Sequence, residues 1–245
     1  MLFHHRQRGI DNMIPTLKIN NHEIERVKEF NFLGITIDEN MNWNMHIQKI
    51  SNKISRNLGC LNRIKRFIPL NTRQLLYNSL ILPHLQYGIL SWGFKYNRLF
   101  KLQKRAMRII SLSKYKSHTE PIFKRLKILK IPELFNLALL KFQFKLKHSR
   151  LPHYFANMFT QATRDHSHDT RFRNDPILPV PRTARANETI RHHLPIFIDS
   201  MPELITDKIN THSEKGFALY AKTKFLNDYS YDCNITNCHT CNQNS

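Results

Sequence analysis

Residues 42–68, NWNMHIQKISNKISRNLGCLNRIKRFI, decide the fold of this chain. Ile47, Ile50, Ile54, Leu58, Leu61 and Ile64 recur at steps of three and four, which lines them along one face of a helix. At about 100° per residue, Lys49, Lys53, Arg56 and Arg63 fall on the opposite face. The stretch therefore reads as one long helix with an apolar stripe and a cationic back, ended by Pro69. Cys60 on this helix reads as a small packing residue.

Working outward, more helices follow. Asn71 suits an N-cap for a helix from about Thr72 to Trp92, largely apolar and hence expected to be buried, with Pro83 kinking or splitting it. Asn97 suits the cap of a third helix, Arg98 to Leu112. Its apolar stripe is Leu99, Leu102, Ala106, Ile109 and Ile110, and Arg98, Lys101, Lys104, Arg105 and Arg108 cover the other side. Pro121 and Pro132 each suit a first helical turn, where a missing N–H costs nothing, and predict helices to Leu129 and to about Lys147. The second of these is apolar almost all round and belongs in a core. Upstream, residues 15–38 read as extended: Thr16-Leu17-Lys18-Ile19, a turn at Asn20-Asn21, then a strand region from Val27 to Ile37, stopped by Asp38-Glu39-Asn40. Beyond Leu151-Pro152 the chain turns rich in Pro, His and Asn. Residues 161–193 read as loops with a single short strand at most, 196–210 as short helices, and Ser213-Glu214 opens a last helix to about Asp228.

The charge is as uneven as the pattern. The 245 residues carry 38 Lys+Arg against 18 Asp+Glu, a formal +20. Residues 42–150 hold 23 of the cations and only two acids, Glu120 and Glu133; the flanks are nearly neutral. A segment with two carboxylates cannot neutralise itself, so it calls for an external polyanion, and nucleic acid fits a folded basic segment better than a membrane surface does. Six glycines speak against a glycine-rich nucleotide fold. No apolar run nears the roughly 18 residues of a membrane span, and the first residues lack the apolar core of a signal peptide, so a nuclear or cytoplasmic protein is expected rather than a secreted one.

Metal-dependent polymerase or nuclease chemistry needs clustered carboxylates. The basic segment offers two acids 13 residues apart, and no Asp-Asp pair occurs anywhere in the sequence. Walker, His-Glu-x-x-His and Gly-x-Ser-x-Gly patterns are missing too, so no catalytic residue is assigned. Cys233, Cys238 and Cys241 include a Cys-x2-Cys pair with zinc spacing, but a fourth ligand is lacking and exposed thiols in a tail are the plainer reading. His166-Ser167-His168-Asp169 reads as a polar loop, and Trp43, Trp92 and Tyr96 as core aromatics rather than base-stacking ones.

Several blocks in order carry a resemblance. They are Phe30-Asn31-Phe32-Leu33-Gly34-Ile35-Thr36-Ile37-Asp38 with Met41-Asn42-Trp43-Asn44-Met45-His46-Ile47; Leu75 to Leu80 with Pro83, Leu85-Gln86-Tyr87-Gly88 and Ser91-Trp92-Gly93; Leu102 to Ile110; and Asp169-Thr170-Arg171. They resemble the end of the palm, the thumb and the tail of reverse transcriptases of jockey-like non-LTR retrotransposons, well over residues 15–150 and loosely over 151–245. The resemblance implies an RNA-directed DNA polymerase that uses Mg²⁺. Its catalytic carboxylates would lie in an aromatic-x-Asp-Asp hairpin upstream of the Leu-Gly strand, and only 14 residues precede Pro15 here, none forming that hairpin. The chain so reads as a fragment that would need the missing fingers and palm as partners. Leu33-Gly34 would match the strand that abuts the primer end, and the basic helices the thumb that grips an RNA–DNA hybrid or DNA duplex.

The expected fold is mainly α, a thumb-like helical bundle with a short N-terminal β-hairpin and an irregular α-rich C-terminal region. The expected divisions are a leader at 1–14, the palm-derived hairpin at 15–41, the basic helical domain at 42–150 and a loop-rich region at 151–245. The alternatives to a polymerase part are a stand-alone, sequence-independent nucleic-acid-binding module and a non-functional transposon remnant.

Overall fold

A computed structural model describes residues 17–158, 186–200 and 203–229. Two antiparallel hairpins lead: β1 (Lys18–Ile19) with β2 (His22–Glu23), and β3 (Glu29–Phe32) with β4 (Ile35–Asp38). Helices follow: α1 (Asn44–Ile64), α2 (Leu70–Leu80), α3 (Leu82–Gln86), α4 (Ile89–Trp92), α5 (Asn97–Ile110), α6 (Glu120–Leu126), α7 (Ile131–Lys147) and α8 (His153–Met158). After the undescribed stretch come α9 (Ile190–Asp199), α10 (Glu203–Thr211) and α11 (Glu214–Asn227). The mainly helical architecture is the one expected.

Its differences from the sequence reading have local causes. Asn20-Asn21 does form a turn, both residues in the left-handed region, but it joins two two-residue strands. The long strand read from Val27 to Ile37 instead folds back on itself at Leu33-Gly34, with φ of 48° and 80°. That left-handed pair is the geometry a two-residue hairpin demands, and Gly34 supplies half of it without steric cost. The helix expected from Thr72 to Trp92 is three pieces, split at Ile81, just before Pro83, and at Tyr87-Gly88, and it starts after Pro69 rather than at an Asn71 cap. It is also less buried than its composition suggests: of α2 only Arg73 and Tyr77 are buried, and Leu75 is exposed. Cys60, read as a packing residue, is instead exposed, because it lies on the cationic face between Arg56 and Arg63, and Ile64 is exposed because the helix end runs past the core that covers the rest of the stripe. Ser213 caps α11 by accepting from the Gly216 N–H at 3.2 Å.

The chain path sets helix directions. From the far end of α1 it returns along that helix: the Asn57 side chain donates to the Leu80 carbonyl, Trp92 packs edge-on against His46 at 5.9 Å, and Lys95 Nζ donates to the Asn42 carbonyl at 3.0 Å. There it turns, and Arg98 donates to the Gln48 side chain. α5 thus starts beside the start of α1 and runs along it in the same direction, in the most extensive helix–helix contact among the described residues.

One core runs through the molecule. Ile54, Leu58, Leu85, Trp92, Leu99, Met107, Ile110 and Phe123 are fully buried in it. α7 occupies its centre, and the C-terminal helices close over it: Phe217 stacks on Phe144, and Lys130 N–H donates to the Tyr229 hydroxyl at 3.0 Å. The core is therefore continuous across the composition break at residue 151.

Candidate nucleic-acid interface

The junction between hairpin and α1 is built by Asp38. Its Oδ1 accepts from the Asn40 and Asn42 N–H groups at 2.9 and 3.2 Å, and the Asn42 side chain then accepts from Asn44 N–H at 2.8 Å, starting the helix. Trp43 sits between them in the left-handed region. His46 Nδ1 accepts from Thr36 N–H at 3.2 Å, docking β4 on α1. Burial, with Lys49 and Lys53 nearby, holds the His46 imidazole below its ordinary pKa. His84 is lowered too, by burial and by Lys53, so both histidines sense the positive field around α1. The same junction gathers sequence blocks far apart in the chain: Tyr87 donates to the Leu33 carbonyl at 2.5 Å, and Gly88 lies against Ile35.

From this base, α1 and α5 present their cations. Lys49, Lys53, Arg56 and Arg63 are all exposed on α1, as are Arg98, Lys101 and Arg105 on α5. Neither helix contains a single acid. Between the rows lies an uncharged polar seam: Gln48 accepts from Arg98 and donates to Asn52 Oδ1 at 3.1 Å. Because the helices run side by side, the two faces read from separate sequence periods form one surface. The row from Lys49 to Arg63 covers 15 residues, about 21 Å of helix or roughly six base pairs of duplex axis.

The nine cations named from the sequence are not equivalent. Lys49 pairs with Glu29 at 3.2 Å, Arg98 is held by Gln48, and Lys104 lies over the Phe100 ring at 4.3 Å. Arg108 is half-buried, its Nε donating to the Ser117 carbonyl at 2.9 Å, and desolvation lowers its pKa. It fastens the loop after α5 rather than facing outward. Lys53, Arg56, Arg63, Lys101 and Arg105 make no ion pair among the described residues and remain directed to solvent.

Trp92 is fully buried, with its indole N–H donating to the Tyr87 carbonyl at 3.0 Å, and Trp43 and Tyr96 pack partly buried against the core. Two aromatics that the periodicity passed over are the most exposed among the described residues: Phe67 is 86% and Tyr115 83% accessible. Each has cations beside it in the chain, Lys65-Arg66 before Phe67, and Lys114 and Lys116 around Tyr115, which is the signal that could have found them.

The carboxylates do not gather. Asp38 is engaged in its turn, Glu39 pairs with Arg26, Glu120 with Lys130, and Glu214 with Lys145 and Arg150. Among the described residues no group of three His, Cys, Asp or Glu is placed to hold a metal ion, so these donors do not fit the Mg²⁺ that the resemblance implies. Cys233, Cys238, Cys241 and the His166–Asp169 stretch lie outside the described residues. No described helix is long and apolar enough to cross a membrane. Comparison with models of known families, with curated proteins and with solved structures gives no match.

Proposed function

We propose that this chain binds a nucleic-acid duplex through its phosphates, without reading sequence, as the thumb-like part of a reverse transcriptase of the jockey-like non-LTR class. The observation that carries the binding is the acid-free pair α1 and α5, packed side by side with Lys53, Arg56, Arg63, Lys101 and Arg105 turned to solvent. A solvated helix face ordinarily mixes signs; this one offers an unbalanced field along some six base pairs, and a phosphate backbone is the polyanion of that shape. The polymerase assignment rests on the sequence blocks. It is supported by the way two of them, residues 30–47 and 85–93, interlock at the hairpin–helix junction through Tyr87–Leu33, Gly88–Ile35 and Trp92–His46. No polymerisation step is derived for this chain.

Filter binding to a blunt duplex across a salt series tests this. With five free cations engaged, log K should fall against log salt with a slope of about −4 to −5 on B-form DNA. A salt-independent affinity, or none, removes the proposal. Primer extension with Mg²⁺ should give no product from this chain alone; incorporation would show a catalytic centre that these residues do not provide.

A further inference from the structure

The cation rows do not end blankly. Since α1 and α5 run in the same direction, their C-terminal ends point the same way, and the two most exposed aromatics among the described residues follow them in the chain: Phe67, 86% accessible, just past α1, and Tyr115, 83% accessible, in the loop after α5. Single exposed rings are ordinary on a protein surface, so what distinguishes these two is their setting. Neither ring sits on a loose tail. Phe67 N–H donates to the Ile64 carbonyl at 2.9 Å in the closing turn of α1. The loop of Tyr115 is fastened at both ends: Ser113 N–H donates to the Arg108 carbonyl at 3.0 Å, Ser117 N–H to the Lys114 carbonyl at 3.0 Å, and Arg108 Nε to the Ser117 carbonyl at 2.9 Å. Lys65 and Arg66 precede Phe67, Lys114 and Lys116 flank Tyr115, and the acid nearest Tyr115 in sequence, Glu120, pairs with Lys130 at 2.9 Å.

Solvent-facing rings on a hydrogen-bonded backbone among cations are what successive unpaired bases stack on while their phosphates are held. Inside a duplex no base face is available, so the rings have a partner only where pairing stops. Resting on the duplex-binding reading above, we infer that Phe67 and Tyr115 form a stacking site for single-stranded bases, so that the ligand is a duplex continued by an unpaired strand. The basic face of α1 and α5 holds the paired part, and the aromatic end holds the first unpaired bases.

Fluorescence anisotropy with the whole chain separates this from charge alone. Five DNA probes share one duplex: blunt, with an eight-nucleotide overhang on the 3′ or the 5′ strand, and with each of these overhangs made of abasic residues. The abasic probes have the phosphates and lack the bases. The base-bearing overhang of one polarity should bind about tenfold more tightly than its abasic counterpart, and F67A/Y115A should erase that difference while leaving blunt-duplex affinity within about twofold. F67Y/Y115F should keep it. 2-Aminopurine at the first unpaired position should be quenched by the native chain and not by F67A/Y115A. Both sites are exposed, so the variants should melt as the native chain does. Equal affinity for base-bearing and abasic overhangs beside a salt-sensitive blunt duplex overturns the stacking site and leaves the duplex reading standing. Failure of the blunt duplex to bind overturns the duplex reading, and the inference with it. A preference that survives F67A/Y115A also overturns it.

Discussion

Gln103 is the residue on which the centre of the bundle turns. It is buried, its Nε2 donates to the Tyr77 hydroxyl and the Leu129 carbonyl, both at 2.9 Å, and its Oε1 accepts from Ile131 N–H at 3.0 Å. One amide therefore joins α2, α5 and the start of α7. Burial drives the Tyr77 phenol well above its ordinary pKa, so the hydroxyl stays protonated. Q103L should keep the volume and strand three buried polar groups. At about 1–3 kcal/mol for each unsatisfied group, with partial relaxation, a loss of about 3 kcal/mol is expected in chemical denaturation. A loss under about 1 kcal/mol would mean that these groups find other partners.

His46 makes a pH prediction at the same scale. Its pKa is lowered in the folded chain, so below about 6.5 the unfolded chain takes up a proton that the folded one resists. Stability present above that pH is lost as pH falls through it, and His84 and His193, lowered likewise, act in the same sense. Glu133, raised by burial, acts oppositely, contributing stability at low pH that is lost as pH rises through its folded value. Comparison of H46Q with the native chain isolates one group: the drop in melting temperature from pH 7.5 to 5.5 should be smaller in the variant. An equal drop would assign the pH dependence to the other histidines.

At the scale of elements, two glycines have opposite roles. Gly88 breaks α3 from α4 at φ 62°, and a Cβ there would meet Ile35 Cδ1 at 2.6 Å. The left-handed break lets the chain turn against the β3–β4 hairpin. G88A adds backbone strain to a clash and should cost about 1–3 kcal/mol. Gly59 lies within α1, and a Cβ added there would meet nothing within 4 Å, so G59A should stabilise by about 0.5–1 kcal/mol through helix propensity alone. Thermal melts of the two variants should shift in opposite directions; a shared sign would show that the hairpin docks loosely on α3 and α4.

For the whole molecule, charge is the variable that matters. The +21 of residues 42–150 is spread over many faces, and the adjoining helices α1 and α5 carry nine of its cations. K53A/R56A should weaken duplex binding and lower the salt slope by about 0.9 for each phosphate contact removed. K141A/K147A removes the same charge from exposed positions on α7, and should change affinity by less than about twofold. Equal effects would mean that net charge, not a surface, attracts the ligand.

Helical periods and proline positions were legible in the sequence because they are local: the stripe of α1, that of α5 and the first turns at Pro121 and Pro132 all follow from side-chain spacing and the missing proline N–H. The nine cations were legible in the same way. Local spacing did not reveal that Leu33-Gly34 is a turn, since a β-rich run reads alike whether it continues or folds back, and only pairing of Phe30 with Ile37 tells them apart. Nor could it say that Arg108 fastens a loop, that α1 and α5 run side by side, or that Phe67 and Tyr115 stand exposed just past their ends. The sequence by itself determined which faces are apolar and which are charged, because a helix imposes that on its own residues. The tertiary structure alone decided which charged faces lie together, because that depends on how the chain returns through α2, α3 and α4 to start α5 beside α1.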